Sequence, residues 1–515
     1  MLDNRQPDAP NLQRTGIPGF DAVLQGGLTP YRLYLLEGAP GAGKTTVALQ
    51  FLREGARNGE AVLYVTLSET DEELRDVAES HGWSLDGVTI QEILPTPGAL
   101  KADEQYTIFH PAEVELGDTM ERILSKVEEL RPQRIVFDSL SELRLLSGNS
   151  LRYRRQILAL KQFFTGRQCT VLLLDDMSGT RHDLQVQSIA HAVIRLEQFH
   201  SDYGATRRRM VVLKFRGKQF RGGYHDYRIE RGGLRVFPRL AGTEHRHFTR
   251  PERMASGLPE LDDLMGGGLE KGTSTLFVGA PGTGKSTLTV QFALAAAARG
   301  ETASLFLFDE SVNTLRSRCL GMGMDMGPHL ESGKMRLRQV DPGEMSPGEL
   351  VDLIRKEVEE HQACVIVLDS LNGYLNAMPD DRFLIVQLHE LLTYLGQAGV
   401  STLLVGAQHG IIGTQMQTPV DASYLADAIV MLRFFESEGE VRQAISVMKK
   451  RGGAHERSIR SFRLAADGVH VGEVLRGFRG ILTGVPVREN VYSPTAEDNV
   501  LRPPSPRADG DEARR

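Results

Sequence analysis

The chain has 515 residues, 41% of them hydrophobic and 25% charged, which is ordinary for a soluble globular protein and long enough for two large domains. Its formal net charge of -7 argues against a dedicated nucleic-acid binder, whose field is normally basic. Met1–Thr15 is polar and lacks the apolar run of a signal peptide, and no stretch of about 18 apolar residues occurs, so no membrane partner and a cytoplasmic location are expected.

In chain order, Arg32–Glu37 reads as a short apolar strand entering a glycine-rich turn. Thr45–Asn58 has helical spacing and stops at Gly59, where glycine can take the left-handed conformation that ends a helix. Ala61–Leu67 reads as a strand, Asp71–His81 as a helix with one charged and one apolar face, and Arg134–Asp138 as an apolar strand ending on an acid. Tyr153–Gly166 is a helix, Thr170–Leu174 a strand, and Met210–Leu213 a β-rich run. Gly242–Glu252 is polar and lacks apolar periodicity, as a linker does. Elements of the same kinds then recur at Ser274–Gly279, Thr287–Arg299, Ala303–Phe308, Val365–Asp369, Phe383–Ala398, Ser401–Gly406 and Ala444–Met448. Strands alternating with helices imply a parallel sheet with right-handed crossovers. From Val485 onward, prolines, arginines and acids leave too little apolar surface to fold, and 485–515 is expected to be a disordered tail.

The recurrence is a duplication. Lys44 and Lys285 lie 241 residues apart, as do Glu69 and Glu310, and Thr15-Gly16-Ile17-Pro18 matches Ser256-Gly257-Leu258-Pro259 at the same offset. Asp138 pairs with Asp369 and Lys214 with Lys449 at slightly shorter offsets, which small loop differences explain. The division is a first domain at 1–241, a linker at 242–252, a second domain at 253–484 and the tail. The three cysteines, Cys169, Cys319 and Cys364, form no CxxC pair and read as reduced, small apolar side chains, with no structural zinc expected.

Gly38-Ala39-Pro40-Gly41-Ala42-Gly43-Lys44-Thr45 and Gly279-Ala280-Pro281-Gly282-Thr283-Gly284-Lys285-Ser286 both fit the phosphate-loop pattern GxxxxGK[ST]. The glycines let backbone N–H groups face an anion, and the following helix presents its positive end to the same anion. Lys44 and Lys285 are expected on the β- and γ-phosphates of ATP, with Thr46 and Thr287 completing the two loops. Thr45 and Ser286 supply hydroxyls for Mg²⁺, and Asp138 and Asp369, each ending an apolar strand before Ser-Leu, supply its carboxylates. Ser68-Glu69 and Asp309-Glu310 close the strands that follow the phosphate-loop helices. Glu69, Asp309 and Glu310 are therefore candidates to orient or deprotonate the attacking group.

Lys214-Phe215-Arg216-Gly217 and Lys449-Lys450-Arg451-Gly452 share a K-x-R-G spacing after a β-rich run. Lys214, Arg216, Lys449 and Arg451 are candidate cationic fingers inserted into a neighbour's site, and head-to-tail contacts of that kind close into rings. Arg207-Arg208-Arg209 with Lys214, Arg216, Lys218 and Arg221, interleaved with Phe215, Phe220 and Tyr224, is either a nucleic-acid patch or an exposed hairpin at a subunit boundary.

Taken together these motifs resemble the KaiC family within the RecA/DnaB-type ATPases. The likeness rests on T-G-I-P-G-F-D before the first phosphate loop, the doubled GAPGxGK[ST], D-S-L at both strand-end acids, and Ala444–Gly452 followed by His455. It runs from about Arg14 to Pro486. It implies an α/β fold of two tandem RecA-like P-loop domains, each a mostly parallel sheet flanked by helices. It also implies a double-ring homo-hexamer with ATP between neighbouring subunits, unidentified regulatory partners, and a second domain that acts as a Ser/Thr autokinase. In Asp421–Ile429, Ser423 falls on the family's Ser acceptor, whereas Tyr424 replaces its Thr. The family's Glu-Glu pairs are Ser68-Glu69 and Asp309-Glu310 here, and Met322 stands where the family often stacks an aromatic near adenine. Two other readings share the fold: a RecA/DnaB-like nucleic-acid-dependent ATPase, and a regulatory scaffold held together by ATP with little turnover.

Overall fold

The computed structural model describes residues 12–93, 111–147, 149–177, 184–200, 204–240, 252–376, 381–407, 423–482 and 486–488. In the first half the strands are β1 (Leu33–Gly38), β2 (Val62–Thr66), β3 (Val88–Glu92), β4 (Arg134–Asp138), β5 (Thr170–Asp176), β6 (Ala192–Phe199), β7 (Arg207–Phe215), β8 (Tyr224–Glu230) and β9 (Gly233–Phe237). The helices are α1 (Phe20–Val23), α2 (Lys44–Arg57), α3 (Asp71–Ser80), α4 (Pro111–Leu130), α5 (Leu140–Ser147), α6 (Ser150–Phe164) and α7 (Leu184–Ile189). The second half has β10 (Arg253–Met254), β11 (Leu269–Glu270), β12 (Ser274–Gly279), β13 (Thr302–Leu307), β14 (Met335–Gln339), β15 (Ala363–Asp369), β16 (Ser401–Ala407), β17 (Ala428–Ser437), β18 (Glu440–Lys450), β19 (Arg460–Ala465) and β20 (Gly468–Val474). A short pair, β21 (Phe478–Arg479) and β22 (Val487–Arg488), follows. Its helices are α8 (Pro259–Leu264), α9 (Lys285–Ala298), α10 (Val312–Leu320), α11 (Gly327–Glu331), α12 (Pro347–Glu359), α13 (Leu371–Asn376) and α14 (Asp381–Gln397).

Each half builds a nine-stranded sheet in the same order, β3-β2-β4-β5-β1-β6-β7-β8-β9 and β14-β13-β15-β16-β12-β17-β18-β19-β20. The first six strands of each order run parallel, and each of the last three pairs antiparallel with the strand before it. The central strands β1, β2, β4, β12 and β13 are buried along their whole length, which is why they read as continuous apolar runs. Helices cover both faces. Leu36, Val47 and Phe51 belong to one core layer of the first sheet, and Leu35, Phe137 and Ile157 to the other. The second half has the same two layers.

The strand expectations hold to within a residue or two at most ends. The hairpin strands β8, β9, β19 and β20 were not expected, because they alternate weakly and their pairing partners lie across the sheet. One expectation is corrected. Val487 and Arg488, placed in the disordered tail, pair antiparallel with Phe478 and Arg479. The rest of 489–515 and nearly all of the linker lie outside the described residues. The one linker residue described, Glu252, accepts from Lys271 N through its backbone carbonyl. Among the described residues no helix is long and apolar enough to cross a membrane.

The halves touch. The Asp226 carboxylate on β8 accepts from Gly348 N at the start of α12 at 2.8 Å, and Arg235 on β9 pairs with Asp352 at 2.8 Å. Burial pushes the Asp226 carboxyl up, against the opposing Gly348 and Ser346 hydrogen bonds.

The strand that carries the first candidate metal acid is anchored at its other end by Arg134. Its guanidinium is buried, forks onto Glu60 at 2.6 and 2.9 Å, and donates to the Arg14 and Phe51 carbonyls. Glu60→Ala leaves this charge buried without its counter-ion. The expected cost is about 3 kcal/mol, read as a lower urea midpoint for the first domain's transition; an unchanged midpoint would count against the anchor.

Candidate functional site

Gly43 and Gly284 stand at the N-caps of α2 and α9 with φ 96° each, and neither helix has a side-chain cap. The first N–H groups of both helices are therefore left for an anion. The left-handed φ favours glycine at both positions, because a side chain with that φ is strained; a Cβ on Gly43 would also come within 2.5 Å of Ile229 Cδ1, which would have to shift. Tyr227 on β8 closes the back of the loop by donating to Ala42 O at 2.6 Å.

Parallel strands end at one sheet edge, so their C-terminal residues collect beside the loop. In the first domain Lys44 Nζ is buried against the Gly38 carbonyl at 2.8 Å, the Ala39 carbonyl at 3.2 Å and Asp176 Oδ1 at 2.7 Å. Thr45 Oγ1 lies 3.4 Å from Asp138 Oδ2, which also accepts from the Tyr64 hydroxyl at 2.5 Å. Burial raises the Asp138 carboxyl above its ordinary range, while Tyr64 and Lys44 pull it back. Glu69 is half-buried at the turn from β2 into α3, held by its own N–H on Thr66 Oγ1 at 2.9 Å. Its Oε2 has no hydrogen-bond partner among the described residues. Burial first, then the Asp138 and Glu73 charges, push its carboxyl up to about 7. Ser68 points to solvent instead.

The second site has the same frame with different charges. Lys285 Nζ donates to Ala280 O at 2.8 Å, and burial lowers its pKa. Ser286 hydrogen-bonds Asp369, whose carboxyl burial raises. The two acids after β13 diverge. Asp309 accepts from Ser370 Oγ at 2.5 Å, beside Asp369. Glu310 is forked by Arg318 at 2.8 and 3.2 Å, and the same guanidinium donates to Thr287 Oγ1 at 2.5 Å. In the first domain Thr46 faces His81 Nε2 at 3.5 Å instead, and His81 stacks on Trp83 with centroids 4.7 Å apart. Met322, the counterpart of His81, packs against the second core. The peptide bond after each strand-end acid, Asp138–Ser139 and Asp369–Ser370, is cis.

Hydroxyl and carboxylate oxygens are the hard donors that Mg²⁺ takes, and buried acids with raised pKa stand to gain from a cation. Thr45 with Asp138 and Ser286 with Asp369 therefore fit that ion.

The cationic pairs lie elsewhere. Lys214 pairs in register with Val193 near the start of β6, and Lys449 with Ile429 near the start of β17, toward the edge away from their own phosphate loops. Lys214 donates to Gln187 O and Arg216 to Ser188 O. In the second domain Lys449 donates to Ser423 O at 3.0 Å and Ala426 O at 2.8 Å, and Arg451 to Tyr424 O at 2.9 Å. Ser423 thus sits directly against the second cationic pair. The wider basic cluster is largely engaged within the chain. Arg209 pairs with Glu197 at 2.9 Å over the rings of Phe199 and Tyr224, Arg207 donates to Pro342 O, and Phe215 is buried.

Four residues escaped the sequence reading. Asp176 ends an apolar strand just as Asp138 does, so its signal was present. Tyr64, Tyr227 and Arg318 sit inside a strand or helix and carry no local signal.

The sequence model of the KaiC ATPase family matches residues 13–241 and again 254–476. Among curated relatives, the chain is 28% identical to the circadian clock protein KaiC3 of Synechocystis, across 95% of this chain and 96% of that protein. It is 29% identical to KaiC2 of the same organism, across 94% and 85%, and 27% identical to the circadian clock oscillator protein KaiC of Synechococcus elongatus, across 97% and 96%.

Gly284→Ala in a Lys44→Ala chain probes the loop geometry. With φ 96° and a Cβ 2.9 Å from Phe462 Cε1, the variant is expected to lose about tenfold or more in affinity for a fluorescent ATP analogue at the second site. Unchanged affinity would show that the loop does not need this conformation.

Proposed function

We propose that this chain, which belongs to the KaiC ATPase family, is an ATP-binding and ATP-hydrolysing ring protein with Ser autokinase activity in its second domain, serving signalling or regulation. One observation carries the reading. In both repeats the K-x-R pair lies toward the sheet edge away from its own phosphate loop, where the phosphates of an adjoining subunit can meet it. A head-to-tail contact of that kind repeats until the ring closes, and the family resemblance sets the expected number at six in each tier.

In each site the backbone N–H groups of the glycine turn and the buried lysine take up the phosphates. Mg²⁺, held by Thr45 with Asp138 and by Ser286 with Asp369, would neutralise charge on the transferring phosphoryl group. Glu69, its carboxyl raised toward neutrality and without a hydrogen-bond partner on Oε2 among the described residues, accepts the proton of a water that attacks in the first site. In the second site Glu310 is taken by Arg318, which leaves Asp309 as the proton acceptor. Lys214 with Arg216, and Lys449 with Arg451, stabilise the charge that develops on the phosphates of the adjoining subunit. Ser423 shares that edge with Lys449 and Arg451, so it is presented to a neighbour's ATP and not to its own. Phosphate there would add about −1.5 to −2 charges at the subunit boundary, which is the type of change that recruits or releases a regulatory partner.

The test is incubation with Mg²⁺ and γ-labelled ATP, following free phosphate and protein-bound label together. Label on the protein that Ser423→Ala abolishes is expected. Free phosphate with no label on protein would remove the kinase and leave a ring ATPase.

The first site also has a pH signature. In a Lys285→Ala chain only Glu69 serves, and its carboxylate form grows as pH rises through about 7. Turnover should rise about tenfold per unit below that value and level off above it. A flat profile between about pH 6 and about pH 8 would exclude Glu69 as the acceptor.

A further inference from the structure

The ammonium of Lys44 is fully occupied by the protein itself. Its three donors meet the Gly38 and Ala39 carbonyls and Asp176 Oδ1, the last at 2.7 Å. Asp176 is the final residue of β5 and pairs in register with Gly38, the first residue of the phosphate loop. The duplicated half provides an internal comparison. There Gly279 pairs with Ala407. A second marker aligns the same two positions: Asp176 N donates to Ser141 Oγ, and Ala407 N donates to Asn372 Oδ1. Asp176 and Ala407 therefore occupy one place in the fold, with a carboxylate in the first site and a methyl group in the second.

We infer that Asp176 is a built-in competitor for the phosphate-binding ammonium of the first site, so that a nucleotide must displace it and binds there more weakly than it otherwise would. This rests on the reading of Gly38–Thr45 as a nucleotide site. The lysine side chain is 8% exposed and the aspartate 30%, so the carboxylate has a route into water while the ammonium does not. An incoming polyphosphate exchanges an ion pair that already exists for a new one, whereas at Lys285 it gains its ion pair against, among the described residues, a carbonyl alone. A carboxylate remaining close by would also repel the phosphates. The two sites of one chain would then fill over different ranges of ATP concentration, the second first. An ATP-rich solution would be needed to load the first, which makes first-site occupancy a readout of nucleotide supply.

Two single-site chains test this. Lys285→Ala leaves only the first site, Lys44→Ala only the second, and each is titrated with a fluorescent Mg²⁺–ATP analogue. Asp176→Asn in the first chain is expected to tighten binding about tenfold, the net left when one ion pair is exchanged for another. The mirror change, Ala407→Asp in the second chain, is expected to weaken binding by a similar factor and does not depend on how Asp176 variants fold. Unchanged or weaker binding by Asp176→Asn overturns the inference; weaker binding would mean that Asp176 helps to hold the nucleotide. If the Lys285→Ala chain binds no analogue at all, the reading of the first phosphate loop fails and the role of Asp176 falls with it.

Discussion

Strand polarity is the constraint on which the rest of this molecule depends. Six neighbouring parallel strands in each sheet end at one edge, so whatever the chain places at their C-terminal ends converges there. That is how the glycine turn, the strand-end acid and the acid after the next strand meet, although they are spread over about a hundred residues of sequence. The same polarity acts in the opposite direction on the hairpin. β7 and β18 return antiparallel, so cations at their C-terminal ends are carried toward the far edge. A chain built this way holds the phosphate loop and the K-x-R pair of each repeat on opposite edges of one sheet.

Duplication kept this frame and let the charges diverge. Both loops have a glycine N-cap with the same φ, both strand-end acids touch the loop hydroxyl, and both cationic pairs hold the carbonyls of the segment entering the sixth strand of the sheet order. The differences lie in side chains that the fold does not need. Lys44 faces a carboxylate where Lys285, among the described residues, faces only a carbonyl. Glu69 has no partner on one oxygen among the described residues, whereas Glu310 is clamped by Arg318 and Asp309 accepts from Ser370. In a buried edge of low polarity such single-charge changes alter proton affinity and phosphate affinity directly, while the sheet and its core are indifferent to them. Two sites in one chain can therefore differ in task without differing in architecture.

The first domain is also joined to the second through charge. Asp226 adjoins Tyr227, the residue that closes the back of the first phosphate loop, and its carboxylate takes the first turn of α12 in the other half. Anion at a helix N-terminus is a favourable arrangement, and here the two partners come from different domains. Arg235 and Asp352 add a second link a turn further along. The first phosphate loop is thus one strand away from the domain junction.

The division between what was legible and what was not follows from range. The duplication, both phosphate loops, both strand-end acids, the central strands and the parallel α/β class were readable because each is written in contiguous residues: glycine spacing, an apolar run, or an identity at fixed offset. Buried parallel strands are apolar throughout, so they stand out in the sequence even before their order is known. The weakly alternating hairpins β8–β9 and β19–β20 were not readable, since their identity depends on partners on the other side of a turn. Val487 and Arg488 looked like tail for the same reason. The roles of Asp176, Tyr64, Tyr227 and Arg318 are pairwise, and each meets its partner only once strands far apart in the sequence lie side by side. Sequence alone determined which chemical groups the protein carries and the frame that displays them. Tertiary structure alone decided which charge each group faces, because ion pairing across a sheet edge depends on distances of a few ångströms that no local pattern encodes.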